Sequence, residues 1–473
     1  MNNRQTSSTP DFSPIRARLQ QVRQAMNALG IDAYIIPSSD PHLSEYLPAR
    51  WQGREYFSGF TGSVGTLIVT ENFAGLWVDT RYWAQAEKEL AGTGIQMMKI
   101  NSAAATLYIN WLADNLQAGA VVGMDAAVFS LATARALQTA LDAKKIQLNT
   151  SHDLLEKAWL ARPALPLASI FEHFAPHAVI SRIDKLANVR QQMQSNGALW
   201  HFISTVDDIA WLFNLRGADV CYNPVFVAHA LIGPDVARLY ISSGKVPADV
   251  STTLMQDGVE VSEYASAAAG LTEIPAGDSL LIDPSRITLA FRLAIGPETK
   301  IIEAINPCVL LKSRKNAQEA QFVRETMEQD GAALCEFFSW LENALGKDQS
   351  SRLTELTVDQ EICAARARQP NFVSASFGTI AGFNQNGAMP HYRATEESHS
   401  VIEGNGLLLI DSGGQYLGGT TDITRVAPIG TVSTEQKRDF TLVLKGVIAL
   451  SHAISAWYLL HRTRYRGART DLV

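Results

Sequence analysis

This chain lacks most of the patterns that assign a function at sight. No apolar stretch in its 473 residues approaches the length that spans a bilayer. The N-terminus, MNNRQTSSTPDFSPIRARLQ, is polar where a secretory signal needs an apolar core. A cytoplasmic protein without a membrane partner is therefore expected. Cysteine is scarce: Cys221, Cys308, Cys335 and Cys363 lie far apart and form no CxxC pair. They read as buried thiols of a reducing compartment, not as a disulfide frame or a zinc site. Positive charge is short as well, and a net charge of -7 argues against a nucleic-acid partner held through phosphates. There is no GxSxG elbow and no HExxH zinc helix, and the glycines form neither GxGxxG nor a loop closed by GK. Serine-nucleophile chemistry and a phosphate cradle lose their usual support.

Hydrophobic material is plentiful. At 47% apolar residues, the chain can fill cores, and its length exceeds what one ordinary core serves, so two or three domains are expected. An internal repeat supports this. Residues 19–30 (LQQVRQAMNALG) and 186–197 (LANVRQQMQSNG) share LxxVRQxMxxxG, which places Leu, Val and Met on one helix face closed by glycine. A strand-like run follows each, AYIIPSSD and WHFISTVDD. SGFTG and NLRG come next, and then further strand-like segments in both copies. Chance likeness between two amphipathic helices is the plainer alternative, but the shared order extends past the helix. Two similar α/β domains are predicted, 1–158 and 159–308, separated at the prolines of KAWLARPALPLAS.

A third, α+β domain should occupy 309–473. Asn316 can cap its first helix with Glu319 as reciprocal partner, TVDQ at Thr357 resembles a second capping box, and Ser433 can cap a last helix. Between them lies LLLIDSGGQYLGGTTDITR. Asp411 and Asp422 stand on opposite arms of a predicted hairpin, with Gly413, Gly414, Gly418 and Gly419 between them favouring reversal. Thr420, Asp422 and Thr424 share a strand face. Both carboxylates could then meet and hold hard divalent metals such as manganese, cobalt or zinc, or they could be ordinary turn residues. His391, in AMPHYR, is a loop histidine. Arg81, in WVDTRYWAQA, reads by itself as a surface arginine in a structural ion pair. Asp207 and Asp208 read as charges at a helix N-terminus.

These segments together bear a resemblance. DSGGQYLGGTTDITR resembles the metal-binding hairpin of the Xaa-Pro aminopeptidases (aminopeptidase P), in particular the three-domain cytosolic type. AYIIPSSDPHLSEYLPARWQGREYFSGFTGSVGTLIVT is similar to that family's first domain and DDIAWLFNLRGADVCYNPVF to its second. AGFNQNGAMPHYRA with the hairpin is similar to the opening half of the catalytic pita-bread domain. The resemblance implies two creatinase-N-terminal-like α/β domains followed by an incomplete pita-bread metallopeptidase domain. It also implies a homodimer and peptide substrates with proline in second position. Asp411 and Asp422 would be ligands of a two-manganese site, with Asp422 bridging. His391 would stabilise the tetrahedral intermediate beside the scissile peptide, and Arg81 would contact the substrate.

The family site takes one more histidine, from a GTGHG-type motif, and two glutamates, one of them a proton carrier. After Asp422 this sequence has only Glu435, Asp439 and Asp471 among acids, and only His452 and His461 among histidines. The tail ISAWYLLHRTRYRGARTDLV reads as an out-of-frame or unrelated ending. The expectation is a truncated chain that cannot hold a metal pair tightly and is inactive as it stands. A catalytically dead product or an interaction module is the alternative reading. Prolidase is the runner-up among enzymes, set back by the repeat, and creatinase lacks the metal aspartates.

Overall fold

The two copies of LxxVRQxMxxxG form helices Ser13–Ala28 and Arg182–Ser195, and each ends before a glycine at positive φ, Gly30 at 63° and Gly197 at 73°. The computed structural model describes residues 12–101, 106–346 and 353–452. The tail quoted above, with His461 and Asp471, lies outside the described residues. Leu19, Val22 and Met26 in one helix and Leu186, Val189 and Met193 in the other are each no more than 3% exposed. The repeated arginine has a job too. Arg23 Nε donates to Thr70 O and Arg190 Nε to Gly233 O, both at 2.9 Å, so each helix is pinned to the end of a corresponding strand.

The first copy builds a sheet from β1 (Ala33–Pro37), β2 (Thr66–Thr70), β3 (Ala74–Asp79), β4 (Gln96–Ile100), β5 (Val121–Gly123) and β6 (Gln147–Asn149), in the order β4-β3-β2-β1-β5-β6. The ladders β1–β2 and β2–β3 are antiparallel, whereas β3–β4, β1–β5 and β5–β6 are parallel. After a short pair, β7 (Phe171–Glu172) with β9 (Leu215–Arg216), the second copy supplies the remaining strands. These are β8 (Trp200–Ile203), β10 (Ala228–Ile232), β11 (Ala237–Ile241), β12 (Val259–Glu263), β13 (Ser279–Ile282) and β14 (Lys300–Glu303). Their order, β12-β11-β10-β8-β13-β14, and their ladder directions repeat the first sheet strand for strand. The helix match therefore reflects two domains of one fold. Both sheets carry apolar clusters on their two faces, as parallel ladders covered by helices require.

The described residues form two compact units, one drawn from 12–330, 369–377 and 414–421 and the other from 331–368, 378–413 and 422–452. The first holds both repeat sheets and a small sheet of β15 (Phe372–Ala375), β18 (Gly414–Tyr416) and β19 (Gly419–Thr420). The second holds the sheet of β16 (Ile380–Phe383), β17 (Gly406–Ser412) and β20 (Ile423–Ile429), packed through Leu408, Ile410 and Ile429 onto Phe337, Leu341, Val358 and Ile362 of two helices. No helix among the described residues is long and apolar enough to cross a membrane.

The local caps divide into two confirmed and one corrected. Asn316 Oδ1 accepts from Glu319 N at 2.9 Å and Glu319 Oε2 from Asn316 N at 3.0 Å. Ser433 and Gln436 make the same exchange ahead of helix Thr434–His452. The helix expected from Thr357 instead spans Glu355–Ala367. Thr354 is its cap and Thr357 the reciprocal partner, three residues earlier than the TVDQ reading because the box uses two threonines. The cysteines also depart from expectation: Cys308 is buried, Cys363 is partly exposed, and Cys221 and Cys335 are exposed. Cys335 falls off the stripe of Leu334, Phe337 and Leu341 that its helix buries. Asp207 and Asp208 do sit in the first turn of helix Val206–Phe213, but they are more than dipole charges. Asp208 is fully buried, accepts from Thr205 Oγ1 at 2.5 Å and Asn306 Nδ2 at 2.8 Å, and pairs with Lys312 at 2.7 Å.

Candidate active site

Alternation along β17 buries Leu408, Ile410 and Ser412 and turns Leu407, Leu409 and Asp411 to the opposite face. Its partner β20 runs antiparallel with Asp411 opposite Thr424, so Asp422, two residues before Thr424, falls diagonally beside Asp411 on that face. Thr424 Oγ1 donates to Asp411 Oδ1 at 2.7 Å and fixes its rotamer. Partial burial, the Asp411 charge and a hydrogen bond to Asp411 all raise the Asp422 carboxyl above its ordinary range. Asp422 is an exposed residue, so the contact with Asp411 is the weightier cause. Two carboxylates placed side by side repel each other. A divalent cation relieves the same repulsion. The hairpin expected from sequence thus brings its two acids together. Its middle is not one continuous ladder, because β18 and β19 pair with each other and β18 pairs with β15.

His391 is exposed, in the loop that follows the short turn Asn384–Ala388. What shapes that loop is Glu355, a residue that sequence reasoning passed over. Its carboxylate is fully buried and accepts from Phe383 N at 2.7 Å, Tyr392 Oη at 2.8 Å, Ser400 N at 2.6 Å and Asn386 Nδ2 at 3.1 Å. Burial, and then the carboxylate itself, push the Tyr392 phenol well above its usual range, so it remains a donor. The loop is also tight against β16. A Cβ on Gly382 would stand 2.7 Å from Gly387 N and 2.8 Å from Asn386 C, both backbone atoms. Gly382→Ala is expected to cost about 1–3 kcal/mol by displacing this turn. A melting curve identical to the parent's would show that the turn moves freely.

Arg81 lies in the other unit, at the end of β3. Its Nε and Nη2 grip Asp79 at 2.9 and 2.8 Å, and its backbone N–H donates to Asp79 Oδ1 at 3.0 Å. This is the ion pair expected of it. The side chain is 46% exposed, so its outer edge is open to solvent. His452, the histidine nearest the hairpin in sequence, is exposed near the end of its helix. Among the described residues no group of three or more His, Cys, Asp or Glu side chains converges as a metal site would need.

Sheets repeated in order and direction, followed by a hairpin with paired aspartates, define a two-fold creatinase-type N-terminal region joined to a metallopeptidase-type domain. Comparison with known proteins agrees. The Creatinase/Prolidase N-terminal domain matches residues 18–157 and again 161–319, and Metallopeptidase family M24 matches 321–457. A probable Xaa-Pro aminopeptidase P of Talaromyces marneffei is 36% identical over 447 residues, covering 92% of this chain and 68% of that protein. Aminopeptidase P2 of Arabidopsis thaliana is 35% identical over 471 residues, covering 92% and 66%. Among solved structures, the X-prolyl aminopeptidase of Caenorhabditis elegans, described as a cytosolic enzyme with a di-nuclear active site, superposes with a TM-score of 0.87. The identity is 26%, over 93% of this chain and 74% of that one. The chain belongs to the Xaa-Pro aminopeptidase P family of creatinase/prolidase-type metallopeptidases.

Proposed function

We propose that this chain carries residues of a metal-dependent Xaa-Pro aminopeptidase site, specific for peptides with proline in second position. The observation that carries the reading is the contact of Asp411 with Asp422 on one sheet face. The pair fits a divalent ion in donor type, hard oxygens already forced together, and manganese is the ion the family resemblance favours. A divalent ion held there would supply the Lewis acidity that makes hydroxide available as a nucleophile near neutral pH. Asp411 and Asp422 are the ligands, and Thr424 orients Asp411. By the family resemblance, His391 is a donor to the developing oxyanion, and Arg81, whose outer edge is exposed, is assigned to substrate binding. A cytosolic homodimer is the assembly this reading carries with it.

Two carboxylates are a small ligand set. Affinity depends on the number of deprotonated ligands a site brings together. A polypeptide of residues 1–473 is therefore expected to retain fewer than one manganese ion per chain after desalting. It should give no turnover of an Xaa-Pro peptide above background. Weak Mn²⁺ binding, followed by the loss of the free-ion paramagnetic resonance signal, should disappear in Asp411→Asn and in Asp422→Asn. Binding untouched by both substitutions would remove them as ligands. Turnover that Asp411→Asn abolishes would show that the site is complete.

A further inference from the structure

The first compact unit contains a cavity of about 540 Å³ whose lining includes none of Arg81, His391, Asp411 or Asp422. Three cationic side chains, Arg216, Lys312 and Lys315, and two acidic ones, Asp207 and Glu319, face it. Lys312 is committed to Asp207 and to buried Asp208. Glu319 is held by the backbone N–H of Asn316. The other two cations have no carboxylate partner among the described residues. Lys315 Nζ donates to Lys312 O at 2.7 Å. Arg216 Nη1 donates to Ala210 O at 3.2 Å and Leu215 O at 2.9 Å, which leaves the rest of its fork without a protein acceptor among the described residues.

A partly buried guanidinium facing only carbonyls is poorly compensated. Burial alone lowers the Arg216 pKa, with no opposing anion to raise it. His173, also on the wall, is pushed down to about 4 by burial and then by Arg216, so it is neutral at pH 7 and adds no charge. Arg216 and Lys315 are therefore the two lining cations that meet only carbonyl oxygens among the described residues. The cavity walls also present the rings of Phe171, Trp211, Phe322 and Tyr416, beside polar His177, Asn223, Gln415 and Thr420. Lys185 Nζ lies 4.6 Å from the Trp211 ring centroid and donates to Trp211 O, which holds that indole in place.

We propose that this cavity binds a monoanionic carboxylate with a flat apolar body, Arg216 and Lys315 taking the carboxylate and the Trp211 and Phe322 rings the body. A phosphate dianion suits it less, because Asp207 and Glu319 would repel its greater charge and it has no apolar body to set against the Trp211 and Phe322 rings. Aromatic acids and peptides that end in an aromatic residue share the required chemistry.

Calorimetric titration of the full chain in metal-free buffer at pH 7.5 tests this without reference to the metal site. N-acetyl-tryptophan should bind saturably, and its carboxamide, which lacks the charge, roughly tenfold more weakly. Inorganic phosphate should not compete at equal concentration. An amino-blocked tetrapeptide ending in tryptophan that binds tighter than the free acid would identify a peptide carboxyl terminus as the ligand. Equal or weaker binding would identify a small acid. Arg216→Gln and the exposed Lys315→Gln should each weaken the acid several-fold, and the lysine variant keeps the test sound if the arginine variant folds poorly. Equal affinity for acid and amide, no saturable binding at all, or indifference to both substitutions would overturn the assignment.

Discussion

Glu355→Ala should destabilise the second compact unit by on the order of 4 kcal/mol and release the loop that carries His391. The carboxylate is fully buried and takes hydrogen bonds from two backbone amides, a phenol and a side-chain amide, all between residues 383 and 400. Removing it leaves those donors in a space too enclosed for water to serve them all, and each unsatisfied group costs about 1–3 kcal/mol. Glu355→Gln should fall between, since its amide can replace one acceptor oxygen but not both. Hydrogen exchange is the direct measurement. The amides of Phe383 and Ser400 lose their acceptor in the alanine variant and should exchange faster by orders of magnitude, while the repeat sheets stay protected. Unchanged protection at these two amides would mean that the loop is held by something other than the carboxylate.

Acid should weaken the paired N-terminal domains through buried imidazoles. His42 and His229 are each 1% exposed and stack at 4.4 Å between ring centroids. His42 Nδ1 faces Ser204 O at 2.7 Å and Nε2 faces Tyr264 Oη at 2.9 Å, an arrangement that one neutral tautomer satisfies completely. Burial lowers both pKa values, against smaller upward contributions at His42 from Asp40, Ser204 O and Asp219, while Lys245 adds to the lowering there and His42 itself to that at His229. The sign follows from linkage. The unfolded chain takes up protons near the ordinary histidine pKa of about 6.5 while the folded chain does not, so stability is full above that pH and drains below it. Each such imidazole adds a slope approaching about 1.4 kcal/mol per pH unit. Urea midpoints measured at pH 7.5 and 5.5 should differ clearly in the parent and less in His229→Phe, which keeps the ring and removes the titration. Identical pH dependence in both would show that other groups govern acid unfolding.

What could be read from the sequence was local or periodic. Leu19, Val22 and Met26 reveal a helix face without reference to anything else, and Asn316 with Glu319 reveals a helix start. The meeting of Asp411 and Asp422 follows from a period of two and a tight reversal. Glu355 shows the opposite case. In sequence it is one more acid in a first turn, and only the return of the chain at residues 383–400 makes it a buried acceptor. The strand order of the repeat was hidden for a similar reason, since β1 meets β5 and β8 meets β13 across long intervening segments. The cavity of the first unit is assembled from parts of the chain as far apart as Phe171 and Thr420, and no window of sequence contains it.

The repeated strand order also bears on how this chain reaches its native state. In each copy the antiparallel strands can zip from neighbour to neighbour, but the sheet is completed only when Ala33 finds Val122, or Leu280 finds Trp200. Such closures pay loop entropy before any contact rewards it, and parallel pairings of this kind are slow. Until they occur, the inner edges of β1 and β8 are unpaired hydrophobic strands of matching geometry, present twice in one molecule and again in every neighbouring one. Refolding yield should therefore fall with protein concentration more steeply than for a chain with one such sheet. Arginines 23 and 190 tie each helix to the hairpin of its own copy, a local contact that favours pairing within the copy over pairing between copies.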